Sequence, residues 1–445
     1  MRLQGSFAVA AVAVSLGLLG LLSPPPAAAA AWCGAASAAD RPDTVGGSLV
    51  HVVYAVPADG PDRLPERAAG IATDIGLVAD WWRLQDATRE PRFDLTVVPG
   101  CGTRFGQLDI TTIRVPSPAA SFAAPDGRLV RLLSELSSTL DESHKKYLVF
   151  FDSPVNLEGD VCGTAFTAPR TGGAPGSGAV WLAPNTYGFG GCGTLGNGGY
   201  VAVAAAHELI HALGALDSVS SPGPPHACPG DPGHPCDSSA DILSLSGFSE
   251  SLFDYALDVG RDDYYAHSGT WWDVQDSAWL AHLNAGLRRV SATIAGGGAG
   301  SSIRSTPPGL ACPPICAQDF DSDLPIEMAA EPGEGFEFAG WSGDCSGQSC
   351  SVPLGRSVSL AARFVPIRWR FTVRVVGRGR VTSRPRGVVS CPGRCRGSLA
   401  FGTTLRLSAA AARGYRFVGW RGDCRGRGPC VIEGADSTIT AVFRR

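Results

Sequence analysis

The sequence predicts an α+β domain followed by two small all-β, disulfide-bonded repeats. Strand-length apolar runs alternate with helix-length amphipathic segments up to residue 216. Beyond residue 311 a cysteine and tryptophan pattern occurs twice at one spacing. The fourteen cysteines divide between these parts, six in the first and eight in the second.

Residues 1–31 combine Arg2, an apolar run from Phe7 to Leu22 and a Pro/Ala stretch of small residues, the pattern of a secretory signal cleaved near Ala29 to Ala31. Export agrees with an even cysteine count, which predicts disulfides. Residues 32–290 then make the first domain. Ser48 to Val56 has strand character. Arg63 to Gln85 carries Ile71, Ile75, Val78, Trp81 and Trp82 at helical spacing. Phe93 to Val98, Leu108 to Val115, Tyr147 to Phe151 and Ala179 to Ala183 are predicted strands, and Leu129 to Leu140 a helix.

The next element, Tyr200 to Leu213, is an Ala-rich helix with no proline. It carries His207-Glu208-Leu209-Ile210-His211. Histidines four residues apart project from one helix face about one turn apart, which lets two imidazoles hold one Zn²⁺. Glu208 stands beside the first ligand, placed to take a proton from a metal-bound water. Gly214 can end the helix at positive φ and turn the chain so that Asp217 supplies a third ligand. His226 and His234 are the alternative third ligands, in a Pro-rich loop that also holds Cys228 and Cys236, a predicted local disulfide.

The stretch His207-Glu208-x-x-His211-x-x-Gly214-x-x-Asp217 resembles the metzincin zinc endopeptidases, in particular the snapalysin-like branch with Asp as third ligand. The resemblance implies a twisted sheet, a long active-site helix, and an edge strand that aligns peptide substrate, for which Ala179 to Ala183, with Val180, Trp181 and Leu182, is the match. It implies hydrolysis of peptide bonds by a secreted, zinc-dependent endopeptidase, with Glu208 as general base and then acid. Metzincins also have a Met-turn below the metal. Here Asp241-Ile242-Leu243-Ser244 is similar to it, with Leu243 in place of Met. The competing reading, from another class, is an adhesion or envelope-binding protein whose protease-like domain is inactive. The intact Glu208 favours the enzyme.

The remaining candidates have simpler uses. Asp258, Asp262 and Asp263 surround Gly260 and offer a Ca²⁺ site, although a solvated acidic turn explains them as well. Tyr255, Tyr264 and Tyr265 are core or surface residues before they are oxyanion donors. His51, His144, His267 and His282 lack ligand spacing. Cys33 pairs most simply with Cys101, which leaves no thiolate to cap a metal.

Gly296 to Gly300 is a predicted linker, placed at 291–300. The two repeats follow at 301–365 and 366–445. Cys312, Cys316, Trp341 and Cys345 match Cys391, Cys395, Trp420 and Cys424 at an offset of 79 residues. The shared Phe-x-Gly-Trp-x-Gly-Asp-Cys signature is similar to the internalin B-type β-repeats of secreted bacterial proteins, which implies extracellular attachment or spacing. Each repeat is too small for a large core, so two short-range disulfides are expected in each. The last repeat holds 17 arginines, no lysine and three acids, a net charge of +14, against −4 for the whole chain. That imbalance predicts affinity for anionic cell-envelope or extracellular polymers.

Overall fold

The computed structural model describes residues 32–140, 144–158, 162–166, 177–183, 192, 194–216, 223–246, 249–284, 286–321 and 325–445. The first domain contains β1 (Leu49–Val56), α1 (Leu64–Gln85), β2 (Arg89–Pro91), β3 (Ile110–Arg114), α2 (Arg128–Leu136), β4 (Lys145–Asp152), β5 (Gly163–Ala165), β6 (Ser177–Leu182), α3 (Tyr200–Ala212), β7 (Ala227–Cys228), β8 (Asp231–Pro235) and β9 (Leu280–His282).

Its main sheet has the order β3-β1-β4-β6-β5. The first four strands run parallel, and β5 returns antiparallel along β6. Every residue of β1, β4 and β6 is buried, as expected of a parallel sheet covered on both faces. Val52, Tyr54, Leu148, Phe150 and Val180 face α1 and α3. Val53, Ala55, Val149, Phe151 and Trp181 face α2. Two-residue periodicity thus sorts one apolar strand into two cores.

Three sequence expectations change. Phe93 to Val98 is not a strand, because only isolated bridges from Phe93 and Leu95 tie it to its neighbours. The helix expected to Leu140 stops at Leu136. The glycine run at 296–300 is no linker: β10 already belongs to the first repeat, and the run turns β10 into β11, with positive φ at Gly296, Gly297 and Gly300.

Each repeat is a pair of four-stranded sheets. The first contains β10 (Leu287–Gly296), β11 (Ser302–Thr306), β12 (Ala311–Cys312), β13 (Ala317–Asp321), β14 (Pro325–Glu331), β15 (Phe336–Gly343), β16 (Cys350–Pro353) and β17 (Val358–Pro366). The second contains β18 (Arg368–Val376), β19 (Gly379–Arg384), β20 (Ser390–Cys391), β21 (Arg396–Ala400), β22 (Thr404–Ala411), β23 (Arg416–Gly422), β24 (Cys430–Glu433) and β25 (Ser437–Arg444). The sheet orders are equivalent: β13-β10-β17-β15 with β12-β11-β14-β16, then β21-β18-β25-β23 with β20-β19-β22-β24. Both carry the expected short disulfides, Cys312–Cys316 and Cys345–Cys350, then Cys391–Cys395 and Cys424–Cys430. The first repeat docks on the α+β domain through the buried pair Arg92–Asp321 at 2.5 Å, with Gln318 donating to Asp43 O.

The segment before β1 is held by Cys33–Cys101 and by an ion cluster. Lys145 is 1 % exposed, and its Nζ lies 2.5, 2.7 and 2.8 Å from Asp40, Asp43 and Asp94. Burial alone would depress its pKa, but the surrounding carboxylates outweigh burial and raise it. Lys146 is buried on the other face, over the Trp279 ring at 4.4 Å, and burial lowers its pKa to about 8.

These adjacent side chains predict opposite outcomes. Lys145→Met leaves three carboxylates with only His51 and His144 beside them and should cost about 3–5 kcal/mol in urea unfolding. Lys146→Met should stabilise at pH 7, by about 1–3 kcal/mol less whatever the lost contact with Trp279 contributed. The unfolded Lys146 holds its proton to higher pH than the folded one, so wild-type stability gains from this group as pH rises from about 8 toward 10.5. That gain should vanish in Lys146→Met, as followed by melting temperature across the range.

Candidate metal centre and its cavity

Helix α3 is aimed by a carboxylate on α1. Asp74, fully buried, accepts N–H bonds from Gly196 at 2.7 Å and Gly198 at 3.1 Å, which fixes the approach to the helix. Burial pushes its pKa up to about 6, against the opposing pull of those amides. The helix stops where the sequence predicts. Gly214 takes φ 101°, Gly214 N bonds His211 O, and Trp272 Nε1 donates to the free Leu213 carbonyl.

The two helical histidines face each other, Nε2 to Nε2, at 3.2 Å. His207 Nδ1 lies 2.8 Å from Ile242 O, so it carries the proton and leaves the Nε2 lone pair free. His211 likewise bonds the Ala215 backbone. The Ile242 carbonyl belongs to the turn 241–244. There Asp241 accepts the N–H groups of Leu243 and Val259 and the hydroxyl of Tyr264. Leu243 is fully buried in the core cluster that includes residues of α3.

His234 supplies a third imidazole. Its ring centroid lies 5.3 Å from that of His207 and 5.0 Å from that of His211. Ligand atoms of the three all lie within 4.8 Å of one another. His234 rides on β8, which pairs with β7 and is clipped by Cys228–Cys236. Asp231 places a carboxylate oxygen 3.0 Å from His234 Nδ1. The base of this hairpin is held by Asp263, which accepts His226 N at 3.0 Å and contacts His226 Nδ1 at 3.2 Å. Burial, then the charge of His234, lowers the pKa of His207 to about 4. Burial, then His207 and His234, carries His211 well below its usual value. All of this favours neutral imidazoles, the form that binds a metal.

Glu208 lies beside this trio. Burial holds its carboxyl well above the usual carboxylate range. It packs on two glycines of the sheet. A Cβ at Gly163 would stand 2.5 Å from Glu208 Oε1, and one at Gly178 would stand 2.8 Å from Glu208 Cβ. A cavity of about 150 Å³ opens alongside, lined by Gly163, Val203, Ala204, His207, Glu208, Ile242, Ser244, Leu245 and Tyr255.

Of the residues expected from sequence, His207, Glu208 and His211 therefore meet, and Leu243 is buried in the core that α3 shares. Asp217, expected as third ligand, lies outside the described residues. His234, only an alternative in sequence, is the side chain brought to the pair. Its signal was its place two residues before a disulfide cysteine. Val180, Trp181 and Leu182 are not at an edge: β6 is interior and their side chains are buried. The edge beside Glu208 is β5. The acidic trio does not converge either. The carboxylate of Asp258 is occupied by the N–H groups of Asp262, Asp263, Tyr264 and Tyr265. Asp262 and Asp263 gather instead with His226 and Asp237. The tyrosines are committed too: Tyr255 accepts from Ser249 N, Tyr264 donates to Asp241, and Tyr265 bonds Asp86.

The Divergent InlB B-repeat domain family matches residues 316–368 and 380–445, in agreement with the two β repeats. Curated proteins give no match. Among solved structures, archaemetzincin from Methanopyrus kandleri is similar at 16% identity, covering 46% of this chain and 84% of that one, with a TM-score of 0.23. OgpA from Akkermansia muciniphila is similar at 10% identity, covering 91% and 97%, with a TM-score of 0.27. The Bacillus anthracis TIE protein is similar at 10% identity and a TM-score of 0.23, covering 36% of this chain and only 33% of its own length. TM-scores this low carry no inference about fold or function.

Gly163→Ala should displace the Glu208 carboxylate without touching an imidazole. Added Zn²⁺, counted by atomic absorption, should bind this variant as it binds the wild type, while any hydrolysis that depends on Glu208 drops tenfold or more. Loss of zinc in this variant would show that the glycine serves the trio and not Glu208.

Proposed function

We propose that this chain is an extracellular zinc-dependent endopeptidase, with His207, His211 and His234 as ligands and Glu208 as the proton carrier. One observation carries this reading: the imidazoles of His207, His211 and His234 converge, and His207 lines a cavity together with the buried carboxyl of Glu208. Three nitrogen donors within 4.8 Å and no carboxylate among them suit Zn²⁺, with a fourth position left for the reaction. Zinc at such a site supplies Lewis acidity, which polarises a carbonyl and makes a water more acidic.

The protein's own groups do the rest. The Ile242 carbonyl holds the His207 ring in the tautomer that offers Nε2. Glu208 accepts the proton of the attacking water and delivers it to the departing amide nitrogen. Burial raises its pKa, which makes its carboxylate a stronger proton acceptor. Strand β5 offers unpaired backbone along its outer side among the described residues, where an extended peptide can pair. Apolar Val203, Ala204, Ile242 and Leu245 in the cavity favour an apolar substrate side chain. Seven disulfides and the B-repeat family support a site of action outside the cell.

Two sets of variants test this. Glu208→Gln should keep zinc and lose about 10²–10⁴ in kcat on denatured casein. Full activity in that variant would remove Glu208 from the reaction. His234→Ala should lose zinc, whereas Asp217→Ala and His226→Ala should retain it. Retention in His234→Ala with loss in Asp217→Ala would restore Asp217 as third ligand.

A further inference from the structure

The two repeats share one scaffold, and their outward faces differ in a way the scaffold does not require. In the sheet β21-β18-β25-β23, Trp369, Phe371 and Val373 point into the core, while Arg368, Arg370 and Arg374 are exposed. Strand register identifies the neighbours. Arg396 and Thr438 flank Thr372 on either side. Thr440 lies between Arg374 and Arg421, and Ser398 lies opposite Arg370. The same lattice places fall in β13-β10-β17-β15 of the first repeat. There Ala317 and Ser359 flank Ser291, Ala361 lies between Thr293 and Ser342, and Asp319 lies opposite Arg289.

Three arginines, Arg374, Arg396 and Arg421, thus replace Thr293, Ala317 and Ser342. The one arginine common to both faces is neutralised only in the first, where Arg289 pairs with Asp319 at 3.0 Å. A chain-wide preference for arginine would act on both repeats alike. Instead residues 287–365 hold five arginines and eight acids, against 17 and three in residues 366–445. Those three acids face no arginine side chain: Asp436 accepts Arg370 N, Asp423 accepts Thr438 N, and Glu433 accepts the Thr404 hydroxyl.

We propose that this face, centred on Arg370, Arg374, Arg396 and Arg421, is a docking surface for a linear anionic polysaccharide. Strand spacing sets these arginines about 8–17 Å apart across the sheet, suited to anionic groups repeated along a chain. Guanidinium forks match sulfate, phosphate or carboxylate groups. Between them Thr372, Ser398, Thr438 and Thr440 offer neutral hydroxyls to sugar hydroxyls. No aromatic side chain stands among them, because Trp369, Phe371, Trp420 and Phe443 are buried. Single-stranded nucleic acid would lack the stacking platform it ordinarily uses.

The first repeat supplies the test, because it shows which residues the scaffold tolerates. The full chain is compared with the triple variant Arg374→Thr, Arg396→Ala, Arg421→Ser. A control triple on the opposite sheet, Arg380→Ser, Arg384→Thr and Arg406→Ser, removes equal charge. Heparin is the sulfated probe, polygalacturonate the carboxylate probe, uncharged dextran the blank and a 20-base-pair DNA duplex the rival. The wild type should bind one of the anionic glycans, with log affinity falling linearly against log salt. In the face triple, affinity at 0.1 M salt should drop at least tenfold, and the slope should shrink by about 2–3, one for each lost contact. The control triple should lose less than a third as much, and both variants should keep the wild-type near-ultraviolet circular dichroism. Equal losses in the two triples would reduce the effect to net charge. Tighter binding of DNA than of either glycan, or no binding of either glycan, would overturn the proposal. If the face triple misfolds, Arg374→Thr and Arg421→Ser taken singly must each lower heparin affinity more than Arg384→Thr does.

Discussion

Two imidazole nitrogens face each other at 3.2 Å across one turn of α3, and the protons that might have separated them are committed to backbone carbonyls. Three parts of the structure set this arrangement. The helix is aimed by Asp74, the Ile242 carbonyl is placed by the turn around Asp241, and the third imidazole arrives on a hairpin closed by Cys228–Cys236. With His234 close by, these nitrogens form a group that could hold a metal ion.

The half of the domain after α3 has little regular structure, yet it must hold these groups within a fraction of an ångström. It does so with carboxylates that gather backbone N–H groups. Asp241 takes two, Asp258 takes those of residues 262–265, and Asp273 takes Ala266, His267 and Gln275. Each one satisfies amides that a strand or helix would otherwise have paired, and burial raises the pKa of Asp241 to about 6. The acidic run around Gly260 is therefore a set of internal staples more than a solvated turn, and the local positive φ of Asp258 and Arg261 belongs to the same loop.

The C-terminal repeats solve a different problem. Each has a small apolar core between two four-stranded sheets, and its disulfides span only four to six residues. Such short loops constrain the unfolded chain less than long ones would, so their main effect is to fix the hairpin corners on which the sheets are hung. With the core carried by alternate residues, the outward positions are free to diverge, and in the second repeat they became basic.

The sequence alone determined whatever depends on local periodicity and fixed offsets. Strand-length apolar runs marked β1, β4 and β6, helical spacing marked α1 and α3, and the four-residue interval of His207 and His211 put both on one face with Glu208 beside them. The 79-residue recurrence of cysteine and tryptophan marked both repeats. Tertiary structure alone decided what depends on chain segments far apart meeting. It brought His234 to α3 from a loop with no helical register. It inserted β5 outside β6, because a short antiparallel return can cap a parallel strand without any signal in the strand itself. It made the glycines of 296–300 a turn, since β10 pairs with β17, which lies some 70 residues further along the chain, and no local pattern encodes such a pairing.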